Sequence, residues 1–278
     1  MRHPRENHIP VGVPRPNLYA HHAQAIERVV EHFQQDGEVK ALLLGGSLAH
    51  GFARPASDID VLIIISDQRH AARSRQGQLH FFNSELCAYP EGYVDGKYVG
   101  AGFLHEIAAR GSEPARFAFQ DARVLFSRLD GLDDTLRLIT RYPVESKAER
   151  LGRFAAQLEA WNWYAAEALK HGDPYLLGVS VDKLVLFGGR LILAHNELLY
   201  PYHKWFLRVL EGAQDKPPDL LTAIRDIYAS ATAENIGRFY EMVKGFRDWG
   251  PLDVNWPVQF MADSELNWVN GAPPVDDL

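Results

Sequence analysis

The sequence predicts an α+β chain in two parts, a β-sheet flanked by helices followed by an α-helical bundle, and three observations carry that expectation. Two short apolar runs, "VKALLL" from Val39 and "DIDVLIIIS" from Asp58, are continuous and aliphatic, as strands covered on both faces are. From Glu145 a helical period takes over: in "ESKAERLGRFAAQLEAWNWYAAEALKHG" the residues Leu151, Phe154, Ala155, Leu158, Trp161 and Ala165 recur at intervals of three and four. Strand-like runs stop near Tyr142 and Pro143, which divides the chain into residues 1–143 and 144–278. With 278 residues, 46% of them hydrophobic, each part can bury a core of its own.

The elements follow in order. "NLYAHHAQAIERVVEHFQQDG" places Ala25, Ile26, Val29, Val30 and Phe33 on one helical stripe, with Asn17 as the expected cap and Gly37 as the stop. A strand from Val39 to Leu44 comes next, then one or two helical turns in "SLAHGF", a proline-bearing loop in "ARPAS" and the second apolar strand. The basic stretch "RHAARSR" is expected as a solvated loop, its functional alternative being a flap over a bound phosphate chain. "QLHFFNSELCAYP" and "GYVDGKYVG" suit strands; alternation in the second sends Tyr93, Asp95 and Lys97 to one face and Val94 to the other. "FLHEIAARG" is a short helix closed by Gly111, and "ARVLFS" a further strand. In the second half a helix opens at Asp173 and Pro174, with proline at its first position, and others cover "YHKWFLRVLEG", "PDLLTAIRDIYAS" and "AENIGRFYEMVKGF". The prolines of the last segment argue for an extended C-terminal arm, packed through Trp256, Phe260 and Trp268.

Composition narrows the function. A net charge of -7 argues against a surface that holds nucleic acid by basicity, and favours a small or cationic substrate. One cysteine, Cys87, leaves no internal disulfide and no cysteine-rich zinc module. No apolar run reaches the roughly 18 residues of a membrane span, and the N-terminus lacks a signal-peptide core, so a soluble cytoplasmic protein without membrane partners is expected. None of the 12 histidines forms HExxH, and "GAGFLH" has His105 where a dinucleotide fingerprint needs its third glycine. His50, beside the glycine turn, is expected on a helix surface.

The chemistry concentrates between Gly45 and Asp60. Residues two apart in a strand share a face, about 7 Å apart. Asp58 and Asp60 can therefore converge on a divalent cation, and Mg²⁺ takes one or two carboxylates together with substrate phosphates. Such a partner explains charge at the mouth of so apolar a strand. Gly45, Gly46 and Ser47 lie where the first strand turns, and suit a phosphate: glycines permit close backbone approach and the serine adds a donor. A third carboxylate on a neighbouring strand would accept a proton; Asp95 is the candidate and Glu85 the reserve. Asp95 has a bland alternative, since "VDGK" also suits a hairpin apex.

"GGS" with "DID" starting eleven residues after its serine, in the order helix, strand, short helix, strand, resembles the signature of the nucleotidyltransferase superfamily of DNA polymerase beta and the kanamycin and streptomycin adenylyltransferases. The resemblance implies a mixed β-sheet fold in which Gly46 and Ser47 hold a triphosphate and Asp58 and Asp60 bind Mg²⁺, with Asp95 as base or third ligand. It implies ATP or another nucleoside triphosphate as co-substrate, transfer of a nucleoside monophosphate to a hydroxyl, and release of pyrophosphate. The helical second half is similar in layout to the streptomycin and spectinomycin adenylyltransferases, in which a lysine of the helical domain reaches the phosphates; Lys204 in "YPYHKWF" matches it, the alternative being a lysine snorkelling beside Trp205. A small cationic acceptor, a protein acceptor, and nucleotide binding without turnover remain open. Trp161 and Trp163 are candidates to flank a ring substrate, against plain helix packing.

Overall fold

The computed structural model describes residues 18–249 and 255–271. The chain divides into two units, the first running through Arg141 and the second from Tyr142.

The first unit holds α1 (Ala20–Gln34), β1 (Val39–Leu44), α2 (Gly46–Ala49), β2 (Ile59–Ile65), α3 (Asp67–Arg75), β3 (His80–Asn83), β4 (Val94–Gly100), α4 (Ala101–Arg110), α5 (Glu113–Phe117), β5 (Arg123–Ser127) and α6 (Leu132–Thr140). The strands form one mixed sheet in the order β3-β4-β2-β1-β5. Only β2 and β4 run parallel; β1 is antiparallel to both β2 and β5, and β3 to β4. The two apolar runs take the middle of the sheet because both their faces are covered. Leu42, Leu44, Ile59 and Ile63 pack against Ala25, Ile26, Val29 and Phe33 of α1, while Leu43 and Ile64 pack on the other face against Leu104 and Ile107 of α4 and Ile139 of α6. Burying such a side chain is worth about 1.5–3 kcal/mol, so this central pair anchors the unit.

Several expectations are corrected here. Asn17, the expected cap of α1, lies outside the described residues; the helix starts after Tyr19 and ends at Gln34, ahead of Gly37. "RHAARSR" lies in a helix, since Ser66 accepts from the Arg69 N–H as its cap and Arg73 and Arg75 occupy its last turn, where cations suit the dipole. Arg69 pairs with Glu38 and Arg73 lies 3.9 Å from the Tyr98 ring centre, so both are engaged within the unit. The short α5, just ahead of β5, and the amphipathic α6, between β5 and Tyr142, have no counterpart in the expected element order.

Arg116 ties these late helices together. It is 6% exposed, and its guanidinium donates to the carbonyls of Ala108, Gly111, Leu138 and Ile139 at 2.9–3.2 Å. Arg116→Met is expected to strand these buried acceptors and to cost about 3 kcal/mol, read as a lower urea midpoint at unchanged slope.

The second unit contains α7 (Lys147–His171), α8 (Pro174–His195), α9 (Phe206–Glu211), α10 (Leu220–Ala229), α11 (Ala233–Lys244) and α12 (Trp256–Phe260). Helix α8 opens as the sequence predicts: Pro174 stands in the first turn and the Asp173 carboxylate accepts from the N–H groups of Tyr175 and Leu176, each at 3.0 Å. Its core joins Leu158 of α7, Leu184 and Ile192 of α8, Ile224 of α10 and Phe239 of α11. The expected extended arm is overturned for residues 256–270, which form α12, a π-helical turn (Met261–Glu265) and a 3₁₀ turn (Asn267–Asn270). Pro257 falls in the first turn of α12, where a missing N–H costs nothing. Phe260 meets Trp161 at 5.9 Å, Gln157 Nε2 donates to Ser264 Oγ at 3.0 Å and Arg153 pairs with Asp263 at 2.8 Å. Trp161 is thus engaged in packing, whereas Trp163 is exposed. Among the described residues no helix is long and apolar enough to cross a membrane.

Candidate active site

Asp60 and Asp95 face each other across the parallel ladder, as register partners at the start of β2 and β4. Adjacent strands stand about 4.8 Å apart, so the pairing brings together two carboxylates 35 residues apart in sequence. Alternation places Asp60 on the face of Ile64, and Asp95 on the face of Val99; α4 and α6 cover Ile64 and Val99 but leave the strand starts only half-buried. Val94, on the opposite face, is fully buried, and Lys97 is exposed. The hairpin alternative for "VDGK" therefore fails: Asp95 and Gly96 continue a strand in ladder register.

The turn after β1 meets this pair. The Gly45 N–H donates to the Asp60 carbonyl at 2.9 Å, so Gly45 spends its amide on holding β1 and β2 together rather than on a ligand. Gly46 has φ +60°, and a Cβ built on it would fall 1.7 Å from Asp60 Oδ2. Only glycine both accepts that backbone and leaves room for the carboxylate. Ser47 is buried, and its Oγ has no hydrogen-bond partner. Behind the turn, His50 is not the surface residue expected. Its side chain is buried, stacked on Phe117 at 4.6 Å, with Nδ1 3.4 Å from Asp121 Oδ2.

Asp58 stands one residue ahead of β2, and its carboxylate interacts with the Tyr93 hydroxyl. Asp58, then desolvation and the more distant charges of Asp60 and Asp95, push the tyrosine's pKa above its ordinary value. Tyr93 thus feels the charge of all three aspartates, and its sequence position signals this only through alternation with Asp95. Asp95 has a partner of its own in His80, whose Nε2 lies 3.1 Å from Oδ1. Glu85, the reserve candidate, is exposed between β3 and β4, outside the ladder that aligns Asp95.

The fit to a cation is one of donor chemistry. Among the described residues no group of three or more His, Cys, Asp or Glu side chains is arranged to hold a metal ion, so the expected ligand triad of Asp58, Asp60 and Asp95 is not preassembled. Two hard carboxylates together with phosphate oxygens do match what Mg²⁺ takes. The carboxylate packed over Gly46 and the unpartnered hydroxyl of Ser47 place an acid and a donor at consecutive residues of one turn. Lys204 belongs to the second unit, exposed in the turn before α9, with Nζ 5.0 Å from the Trp205 ring centre. A cavity of about 450 Å³ lies elsewhere in the first unit, lined by Phe119, Val124, Leu136 and Arg137 among others, and includes none of the three aspartates.

Residues 26–107, which contain the glycine turn and all three aspartates, match the family model described as "Nucleotidyltransferase domain". Comparison with curated proteins returns no match. Among solved structures, a nucleotidyltransferase-like protein from Exiguobacterium sibiricum 255-15 is similar at 12% identity and a TM-score of 0.46, over 89% of this chain and 78% of that one. The chain therefore carries an N-terminal nucleotidyltransferase-like domain, built on a mixed sheet with flanking helices, followed by an α-helical region.

Proposed function

We propose that the protein transfers a nucleoside monophosphate, AMP from ATP, to a hydroxyl of a small cationic molecule of the aminoglycoside kind, and releases pyrophosphate. The observation that carries this reading is the Asp60 carboxylate packed over Gly46, beside a buried Ser47 hydroxyl that lacks a partner. A buried, unpaired hydroxyl costs about 1–3 kcal/mol, and a phosphate oxygen at the turn supplies the missing acceptor.

Asp58 and Asp60 would hold Mg²⁺, Asp58 exchanging the Tyr93 hydroxyl for it. When bound, the ion offsets phosphate charge and lowers the pKa of a coordinated hydroxyl. Ser47 Oγ donates to a phosphate oxygen, while the bare Cα of Gly46 lets the Asp60 carboxylate sit against the turn. The acceptor oxygen forms a bond to the α-phosphorus while the bond from that phosphorus to the pyrophosphate oxygen breaks. Asp95 takes the acceptor's proton at a carboxylate oxygen, held in orientation by His80. Positioning and electrostatics then supply most of the acceleration.

The test incubates α-labelled ATP and Mg²⁺ with the protein and either an aminoglycoside panel or cell lysate. Label moving to a small molecule supports the reading. Label moving to protein replaces the acceptor class, and no transfer in either arm, with ATP still bound, leaves nucleotide binding without turnover. Asp95→Asn is expected to reduce transfer about 10²–10⁴-fold with little change in ATP affinity, because it removes a proton acceptor and not a phosphate contact. Full activity in that variant would move the base elsewhere.

A further inference from the structure

The hold on Asp58 comes from outside the glycine turn and the carboxylates. Its position just ahead of β2 leaves it without a ladder partner of its own. On its C-terminal side the peptide is pinned, since the Ile59 N–H donates to the Tyr93 carbonyl at 2.9 Å. On its N-terminal side the Ser57 carbonyl accepts two side-chain hydrogen bonds, from the Tyr89 hydroxyl at 2.8 Å and from His22 Nε2 at 3.1 Å. Peptides are planar, so two pinned planes leave only the φ and ψ of Asp58 between them, and these set where its Cβ points. The loop ahead is tied as well: His21 Nε2 meets the Pro55 carbonyl at 2.9 Å, and the Arg54 N–H donates to Ser57 Oγ at 2.9 Å.

The donors are costly ones. His22 is wholly buried on the inner face of α1, where an aliphatic residue would pack without a polar penalty. With Nε2 donating to a carbonyl, Nδ1 is the unprotonated nitrogen, and it has no hydrogen-bond partner. Burial, then the neighbouring His21, pushes the pKa of the ring down, in keeping with a neutral donor. Tyr89 packs against both histidines, tilted at 4.5 Å from His21 and edge-on at 5.1 Å from His22, and is seated by Gly92, where a Cβ would come within 2.6 Å of its ring. What this cluster gains for its cost is the grip on one carbonyl, the one preceding Asp58.

We propose that His22 and Tyr89 are positioning residues for Asp58, clamping the Ser57 carbonyl so that the Asp58 carboxylate is held ready to ligate the cation that accompanies the nucleotide. The inference rests on the functional reading above, and deepens it by assigning two residues that touch neither nucleotide nor metal.

The test is calorimetric titration of the full chain with the nonhydrolysable α,β-methylene-ATP in Mg²⁺, alongside thermal unfolding. Tyr89→Phe keeps the ring and removes the donor; His22→Leu removes the donor; His22→Gln restores an amide that can donate to the same carbonyl. Tyr89→Phe and His22→Leu are expected to weaken the Mg²⁺-dependent affinity about 10-fold, the loss seen when supports of metal ligands are removed, and His22→Gln to stay within about twofold of the parent. Unchanged affinity in the Tyr89→Phe and His22→Leu chains overturns the clamp while leaving the functional reading standing. Equal weakening in His22→Gln and His22→Leu, in step with lost thermal stability, also overturns it by making the role structural. No Mg²⁺-dependent binding by the parent chain overturns the functional reading, and the clamp's role with it.

Discussion

Asp60→Asn is expected to abolish nucleotidyl transfer, by about 10³-fold or more, while leaving the fold and its stability nearly intact. Asparagine has the size of aspartate, so the packing over Gly46 survives, and the backbone carbonyl that accepts the Gly45 N–H is untouched. What disappears is the formal charge and one of the oxygen ligands proposed for the cation. Circular dichroism and urea unfolding should match the parent, whereas Mn²⁺ binding followed by electron paramagnetic resonance should weaken along with transfer of labelled AMP. An Asp60→Asn chain that binds Mn²⁺ and transfers label as the parent does would remove Asp60 from the metal site and the proposed mechanism with it.

The second large effect is expected at the glycine turn. Gly46→Ala must hold an L-residue at φ +60°, which costs about 1–2 kcal/mol, and must also move the Asp60 carboxylate out of the space its methyl would fill. Together these are expected to lower stability by about 2–4 kcal/mol and to eliminate Mg²⁺-dependent nucleotide binding. Gly77→Ala is the control, since Gly77 has φ +69° with nothing within 4 Å of the built Cβ. It should show the backbone cost alone with full activity. If both variants lose equal stability and both keep nucleotide binding, the contact between Gly46 and Asp60 has no role in the site.

The elements legible in the sequence are those whose signal is local. β1 and β2 announce themselves as unbroken aliphatic runs because sheet centres exclude water on both faces. Helix α8 is marked by its cap, where the Asp173 side chain takes up N–H groups that no helical carbonyl reaches. Residue position outweighs residue type in two elements. Helix α3 carries three arginines and a histidine, yet Ser66 at its start and arginines at its end are helix signals, and the proline of α12 stands in the first turn, where it breaks nothing.

Within the site, "GGS" and "DID" sit close enough in sequence for a strand-turn-strand geometry to follow from spacing alone. The sequence alone was sufficient for the apolar centre of the sheet, for the helical second half, and for an acid pair next to a glycine turn, because each depends on neighbours within a few residues. Tertiary structure decided the rest. It is the parallel pairing of β2 with β4 that puts Asp95 opposite Asp60, the packing of one carboxylate over Gly46 that makes that glycine obligatory, and the approach of α1 that lays His22 on the Ser57 carbonyl. These are contacts between residues far apart along the chain, made only when burial of the apolar strands brings their flanking segments together, and no local pattern of residue types encodes which distant partner each will meet.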